Sequence, residues 1–413
     1  MSARAGLISA AVVLAAVALM NAGPHAHAAT LTLLNLDGDG EGLNDPTPSV
    51  PVGGNTGTTL GEQRSIALRH AADVWEQQLR SAVEIRVAAK FDPMGGNALS
   101  AVLGIGGPVA VFRDFPGAPL VNTFYPAALA NSLAGVDVDP ARNDVRVIFN
   151  TDVDGVEVLG PLDFYYGLDR LAGADIDFVS VALHELAHGL GFITLVNLNT
   201  GAKRACGNGN PSSCDDPYLV SLVDDNFSPA RLSDMTDEQR ADAMSDAPDL
   251  LWDGPNVVAA SAPLADGARP DGRVEMHAPS PAQPGSSVVH FSTSLSPNEL
   301  MEPAYSAPNH EVGLTTALMA DLGWRLVGET TTTSSTTSTS FTTTTIADPE
   351  CGDANRDGRV TATDARIALQ TAVGTNTCPV ELCDADASGA VTASDAQRIL
   401  KFAVGEPVAM SCP

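Results

Sequence analysis

Residues 181–192 read VALHELAHGLGF. His184 and His188 are four apart, so on an α-helix they stand one above the other on one face, with Glu185 about 100° around from His184. Just upstream, Asp175 and Asp177 offer N-caps, and Phe178, Val179, Val181, Leu183, Leu186 and Leu190 supply the apolar pattern of a helix. Gly189 and Gly191 then end it, and Gly191 can take the positive φ that turns a chain sharply. His-Glu-x-x-His on a helix presents two metal ligands and a carboxylate beside them. Zinc in a hydrolytic centre takes three protein ligands and keeps a fourth position for water. Three residues beyond Gly191 stands Thr194, so the third ligand must come from elsewhere.

The candidates lie downstream: His277, His290, His310, or a carboxylate such as Glu299. His290 sits in SSVVHFSTSLSPNELMEPAY, residues 286–305, after a short apolar run and ahead of Met301. The combination of H-E-x-x-H-x-x-G, a long insertion, and then a histidine followed by NELMEP resembles the metzincin metallopeptidases. The leishmanolysin-like branch is the most similar. The resemblance covers residues 178–192 and 286–324. It implies that His184, His188 and His290 bind one zinc ion, that Glu185 is the general base acting on a metal-activated water, and that Met301 is the methionine of the turn below the metal. It departs from the compact metzincins at Thr194, where they place a histidine, and in the length of the insertion. Tyr305 reads as a packed loop tyrosine, with oxyanion stabilisation as its other role.

The flanking sequence agrees with an α+β fold. GEQRSIALRHAADVWEQQL, residues 61–79, carries Ile66, Leu68, Ala71, Ala72, Trp75 and Leu79 at helical spacing. VEIRVAAKF alternates Val83, Ile85, Val87 and Ala89 against Glu84, Arg86 and Lys90, a half-buried strand, and DVRVIFN around Val145 to Phe149 reads as another. Strands, helices and then the helix of His184 are the order of a zinc-protease domain with a mixed sheet and an active-site helix. From Asn197 to about Val288 the chain is rich in Pro, Gly, Asp and Ser and reads as a large loop-rich insertion. NLDGDGEGLND at 35–45 fits no closed calcium loop and reads as a surface turn cluster.

The chain opens with Arg4, an apolar run from Leu7 to Met20 and Ala26-His27-Ala28, the pattern of a signal peptide over residues 1–28 and of a secreted, extracellular product. No stretch reads as a membrane span. With 22 Lys and Arg against 50 Asp and Glu, the net charge of −28 excludes nucleic acid and anionic membrane surfaces as partners. The six cysteines read as disulfides, Cys206 with Cys214, and Cys351, Cys378, Cys383 and Cys412 in one of three pairings.

A metallopeptidase domain is expected over 29–327, followed by a Thr/Ser-rich linker over 328–349 and a calcium-binding domain over 350–413. In the last, DANRDGRVTATDARIALQTAVG from Asp353 and DADASGAVTASDAQRILKFAVG from Asp384 are one unit repeated. Each places oxygen ligands at the positions of a 12-residue calcium loop: Asp353, Asn355, Asp357, the Arg359 carbonyl, Thr361 and Asp364 in the first, and Asp384, Asp386, Ser388, the Ala390 carbonyl, Thr392 and Asp395 in the second. One helix per loop and Asp at the twelfth position resemble dockerin modules, small all-α domains with two Ca²⁺ ions. That resemblance implies a cohesin-like partner docking near Ala362, Thr363, Ala393 and Ser394. The function expected is a secreted zinc endopeptidase with a protein or peptide substrate. Its rival is a non-catalytic adhesion or scaffold protein with a structural or decayed zinc site, a reading that the intact Glu185 disfavours.

Overall fold

A computed structural model describes residues 28–207, 210–328, 351–354, 360, 362–374, 377–403 and 408–412. The expected signal segment up to residue 27, the Thr/Ser tract from residue 329, and Asn355, Asp357, Arg359 and Thr361 of the first expected calcium loop lie outside these residues. The chain divides into two compact units, Met1–Thr331 and Thr332–Pro413.

Helix α1, Leu60–Gln78, starts at a capping box in which the Thr59 hydroxyl accepts from Glu62 N–H and the Glu62 side chain accepts from Thr59 N–H. It buries Ala67, Leu68, Ala71, Ala72 and Trp75, one stripe of a 3.6-residue period. The Trp75 indole donates to the Leu183 carbonyl at 3.1 Å, tying α1 to the helix of the two histidines. The sheet beside them runs β1 (Leu31–Asn35), β2 (Ile85–Asp92), β4 (Val145–Asn150) and β3 (Gly104–Pro108) in spatial order. The β1/β2 and β2/β4 pairs are parallel, and β3 closes one edge antiparallel to β4. With its helices, among them α2 (Ala127–Ala134) just ahead of β4, this mixed sheet puts the chain in the mixed α/β class, compatible with α+β.

Strand β2 lies between two neighbours and buries Ala88 along with Ile85, Val87, Ala89 and Phe91, more than the alternation implies. The insertion is also more ordered than its composition suggests. It holds a three-stranded antiparallel sheet of β5 (Leu222–Asp224), β6 (Leu250–Trp252) and β7 (Val274–Glu275), with helices α4 (Asp237–Ala243) and α5 (Pro255–Ala260). Strands of two or three residues are too short to show a period, and they form because Leu222, Leu250 and Trp252 are fully buried.

Helix α6, Gly313–Leu322, carries the DLGW stretch at its end. Asp321 accepts from the Trp252 indole at 2.9 Å and from Asn256 N–H at 2.8 Å, which joins the insertion to α6. The second unit is helical among its described residues, with α7 (Ala362–Ala372), α8 (Val380–Cys383) and α9 (Ala393–Ala403). All six cysteines pair: Cys206–Cys214, Cys351–Cys412 and Cys378–Cys383. Among the described residues no helix is long and apolar enough to cross a membrane.

Close packing against the sheet decides two glycines. Helix α3, Phe178–Leu190, ends at Gly191 with φ +133°, as expected, but Gly189 lies inside the helix. A Cβ there would stand 2.2 Å from Val145 Cγ1, so Gly189 serves helix-to-strand contact and not termination. At Gly106 of β3 a Cβ would stand 1.9 Å from the Glu185 carbonyl oxygen, whereas at Gly107 it would meet nothing within 4 Å. Gly106→Ala is therefore expected to pry β3 from α3 and cost about 1–3 kcal/mol or more in urea unfolding. Gly107→Ala should stay within about 0.5 kcal/mol of wild type.

Candidate metal centre

Helix α3 begins at Asp177, whose Oδ1 accepts from Ser180 N–H at 2.8 Å and Ser180 Oγ–H at 2.7 Å. Of the two expected caps, Asp177 is the one used. The same oxygen meets His310 Nε2 at 2.7 Å, and Asp177 N–H donates to the Tyr305 hydroxyl oxygen at 3.0 Å. Residues 305–310 thus clasp the start of the helix. Tyr305 is taken up in this packing, as its plainer reading expects.

From α3 the side chains of His184 and His188 meet that of His290, which arrives from the far side of the insertion. The three Nε2 atoms are mutually close: 3.0 Å for His184 to His290, 3.2 Å for His188 to His184, and 3.3 Å for His188 to His290. Each Nδ1 faces a backbone carbonyl, Leu300 O at 2.9 Å for His184, Phe192 O at 2.8 Å for His188 and Ser286 O at 2.7 Å for His290. A carbonyl only accepts, so every Nδ1 carries its hydrogen and every Nε2 presents a bare lone pair.

Three lone pairs converging at about 3 Å repel one another and cannot hydrogen-bond among themselves. A cation satisfies them. Tetrahedral zinc with nitrogens at about 2.0–2.1 Å sets those nitrogens roughly 3.3–3.4 Å apart, close to the spacing here. The carbonyl behind each ring is the arrangement that orients ligating histidines in metal proteins. His184, His188 and His290 could therefore hold a metal ion. Burial pushes the imidazoles below their ordinary pKa, His188 to about 3, so each ring is in the neutral form that binds a metal.

Glu185, on the same helix, is 7 % exposed. Burial pushes its carboxyl up to about 8, against the opposing effect of a hydrogen bond from Gly106 N–H on β3. A cation held by the histidines would act in the opposite sense and favour the carboxylate. The glycines of β3 are what let the strand come this near: a Cβ on Gly104 would stand 2.8 Å from Glu185 Cγ.

The other expected positions are accounted for. His310 is buried against Asp177, and His277 joins the centre through its backbone, its N–H donating to the His290 carbonyl at 2.9 Å. Glu299 stands beside Glu302, and burial pushes its carboxyl up to about 7. Met301 is fully buried, and its carbonyl accepts from Phe291 N–H at 2.8 Å, one residue after His290. Thr194 turns its hydroxyl to Asp216 at 2.9 Å. Sequence reasoning did not reach the three carbonyls, Gly106 or the Asp177–His310 clasp. Only the run of glycines in GIGGP, 104–108, signals that a backbone comes close.

In the second unit, Asp384, Asp386 and Asp395 lie close enough together to hold an ion. Asp384 accepts from Ser388 N–H at 2.9 Å and Gly389 N–H at 2.6 Å, Asp395 accepts from the Thr392 hydroxyl at 2.7 Å, and Ser388 Oγ–H donates to the Ala390 carbonyl at 3.2 Å. Gly389 has φ +90°, the conformation expected at the tight sixth position. Of the first loop, Asp353 and Asp364 are described and both are buried.

Neither a protein-family model, nor a curated protein, nor a solved structure matches this chain.

Elemental analysis after dialysis is expected to find one tightly held transition-metal ion in this centre, and close to none in His290→Ala. His310→Ala should keep the metal while costing about 1–3 kcal/mol in unfolding, because it takes a hydrogen-bond partner from the buried Asp177.

Proposed function

We propose that this chain is an exported zinc endopeptidase of the metzincin type, close to the leishmanolysin-like branch, with a dockerin-like calcium module at its C-terminal end. The observation that carries the reading is the meeting of three bare Nε2 lone pairs beside a buried carboxylate on one helix. A structural zinc site closes its fourth position with a protein ligand and has no use for such a base. Zinc bound to His184, His188 and His290 would supply Lewis-acid polarisation of a peptide carbonyl and lower the pKa of a bound water.

The chain's own residues do the rest. Glu185 takes the proton of the attacking water and returns it to the leaving amine, the exchange expected of one carboxyl serving as base and then as acid. Gly106 N–H holds that carboxyl at the edge of β3. As an edge strand, β3 also offers backbone groups with which an extended peptide can pair, a mode that needs no free chain end. The three disulfides accord with an oxidising, extracellular setting.

Glu185→Gln keeps the shape and removes the base. It is expected to lower hydrolysis of an unfolded protein substrate by about 10²-fold or more with the zinc content unchanged. Activity equal to wild type would overturn Glu185 as the base, and zinc absent from wild type would move the reading to the non-catalytic adhesion or scaffold protein. A peptide blocked at both ends should be cut internally, and a strict need for a free terminus would rule out the endopeptidase.

For the C-terminal unit the reading is two Ca²⁺ ions, one per repeat, with a cohesin-like domain as the partner class. Calcium should slow amide exchange across 384–396, and Asp384→Ala should abolish that protection. Unchanged exchange in wild type would remove the calcium assignment.

A further inference from the structure

Val288 stands two residues before His290 and has φ +74°. Among the described residues six non-glycine residues have positive φ, and Val288 alone of them is β-branched. Branching at Cβ crowds this left-handed conformation, so a valine leaves it unless its surroundings hold it there. Val288 is fully buried and both its backbone polar groups are bound. Its N–H donates to the His277 carbonyl at 2.7 Å, and its carbonyl accepts from the Tyr218 hydroxyl at 2.9 Å.

The conformation matters to the third histidine. The Ser286 carbonyl meets His290 Nδ1 at 2.7 Å although the two residues are four apart. Four extended residues span about 13 Å, so this contact needs the chain to double back, and Val288 is the residue midway. The hydroxyl that grips Val288 comes from the insertion. Tyr218 is itself fully buried, with its ring centroid 5.3 Å from that of Phe192 and 4.7 Å from that of Trp252. Two residues earlier, Asp216 accepts from the Thr194 hydroxyl at 2.9 Å and from Leu195 N–H and Leu219 N–H at 2.8 Å each. Residues 216–219 therefore touch both the chain leaving α3, where the Phe192 carbonyl sets His188, and the chain arriving at His290.

We infer that Tyr218 is a positioning residue for the third ligand: its hydroxyl holds Val288 in the left-handed conformation and so keeps the Ser286 carbonyl behind the ring of His290. Without that bond Val288 relaxes toward negative φ, and a smaller fraction of the protein has all three lone pairs in place, which weakens metal binding by that fraction. The inference rests on the reading of His184, His188 and His290 as a metal centre, and not on catalysis. It gives the long insertion a part in building the centre.

Zinc titration of the full chain against a chromophoric chelator tests it, with calcium present to keep the carboxylate loops from competing for zinc. Tyr218→Phe keeps the ring and removes only the hydroxyl, and the zinc dissociation constant is expected to rise about tenfold. Glycine takes positive φ without steric cost, so in a Val288→Gly background the same change should raise it by no more than about twofold. A hydroxyl that served only the general fold would cost the same factor in both backgrounds. Hydrogen–deuterium exchange of the zinc-free Tyr218→Phe protein gives a second reading that does not depend on the glycine variant. Exchange should quicken in peptides covering 286–291 and stay as in wild type over 250–252. An equal loss of affinity in both backgrounds, a dissociation constant for Tyr218→Phe within about twofold of wild type, or exchange that quickens over 250–252 instead would overturn the positioning role and leave the metal centre standing. A wild type that takes up no zinc would overturn the centre itself, and the inference with it.

Discussion

Three backbone carbonyls hold the centre of this molecule. Leu300, Phe192 and Ser286 each take the Nδ1 hydrogen of one histidine, which turns three Nε2 lone pairs toward one point. Neutral imidazoles left to themselves would hydrogen-bond to one another or turn away. Here the tautomers are set from behind, and a cation would relieve the mutual repulsion that results. Everything else in the first unit serves that convergence. Gly191 lets the chain reverse so that the Phe192 carbonyl comes back under His188, and the Asp177 clasp with His310 and Tyr305 fixes the start of the helix.

The second constraint is closeness. Helix α3 lies so near the sheet that Gly106 and Gly189 have no room for a Cβ. This proximity shuts Glu185 between helix and edge strand, and its burial raises the carboxyl's proton affinity. The same contact gives the carboxyl a backbone donor. A strand with side chains at those positions would stand farther off and leave Glu185 in water.

The acidic character of the chain, 50 carboxylates against 22 Lys and Arg, is uneven in its uses. Asp37 illustrates the ordinary case: within the NLDGDGEGLND turn it accepts from Leu43 N–H at 2.7 Å and Phe91 N–H at 3.0 Å, a turn fastened to β2. Asp321 is another, serving the Trp252 indole and the start of α5. Asp177 and Asp224 differ, for in each one oxygen accepts from a backbone N–H while the other is buried with nothing to accept from.

His184, Glu185 and His188 were legible because helical periodicity is local: spacing of one and four residues sets their relation on α3 whatever surrounds it. Helix α1 and strands β2 and β4 were legible for the same reason. The third histidine was open among several until the resemblance to a family narrowed it. Only the folded chain brings His290 across the insertion to the pair on α3, because that meeting rests on contacts between residues 102 apart in sequence, which no periodicity encodes. The burial of Ala88, the inner place of Gly189 and the short strands of the insertion were likewise decided by neighbours. Local pattern determines which elements form and which side chains share a face. Tertiary packing decides which faces meet, and so where a lone pair, a carboxyl or a missing Cβ does its chemistry.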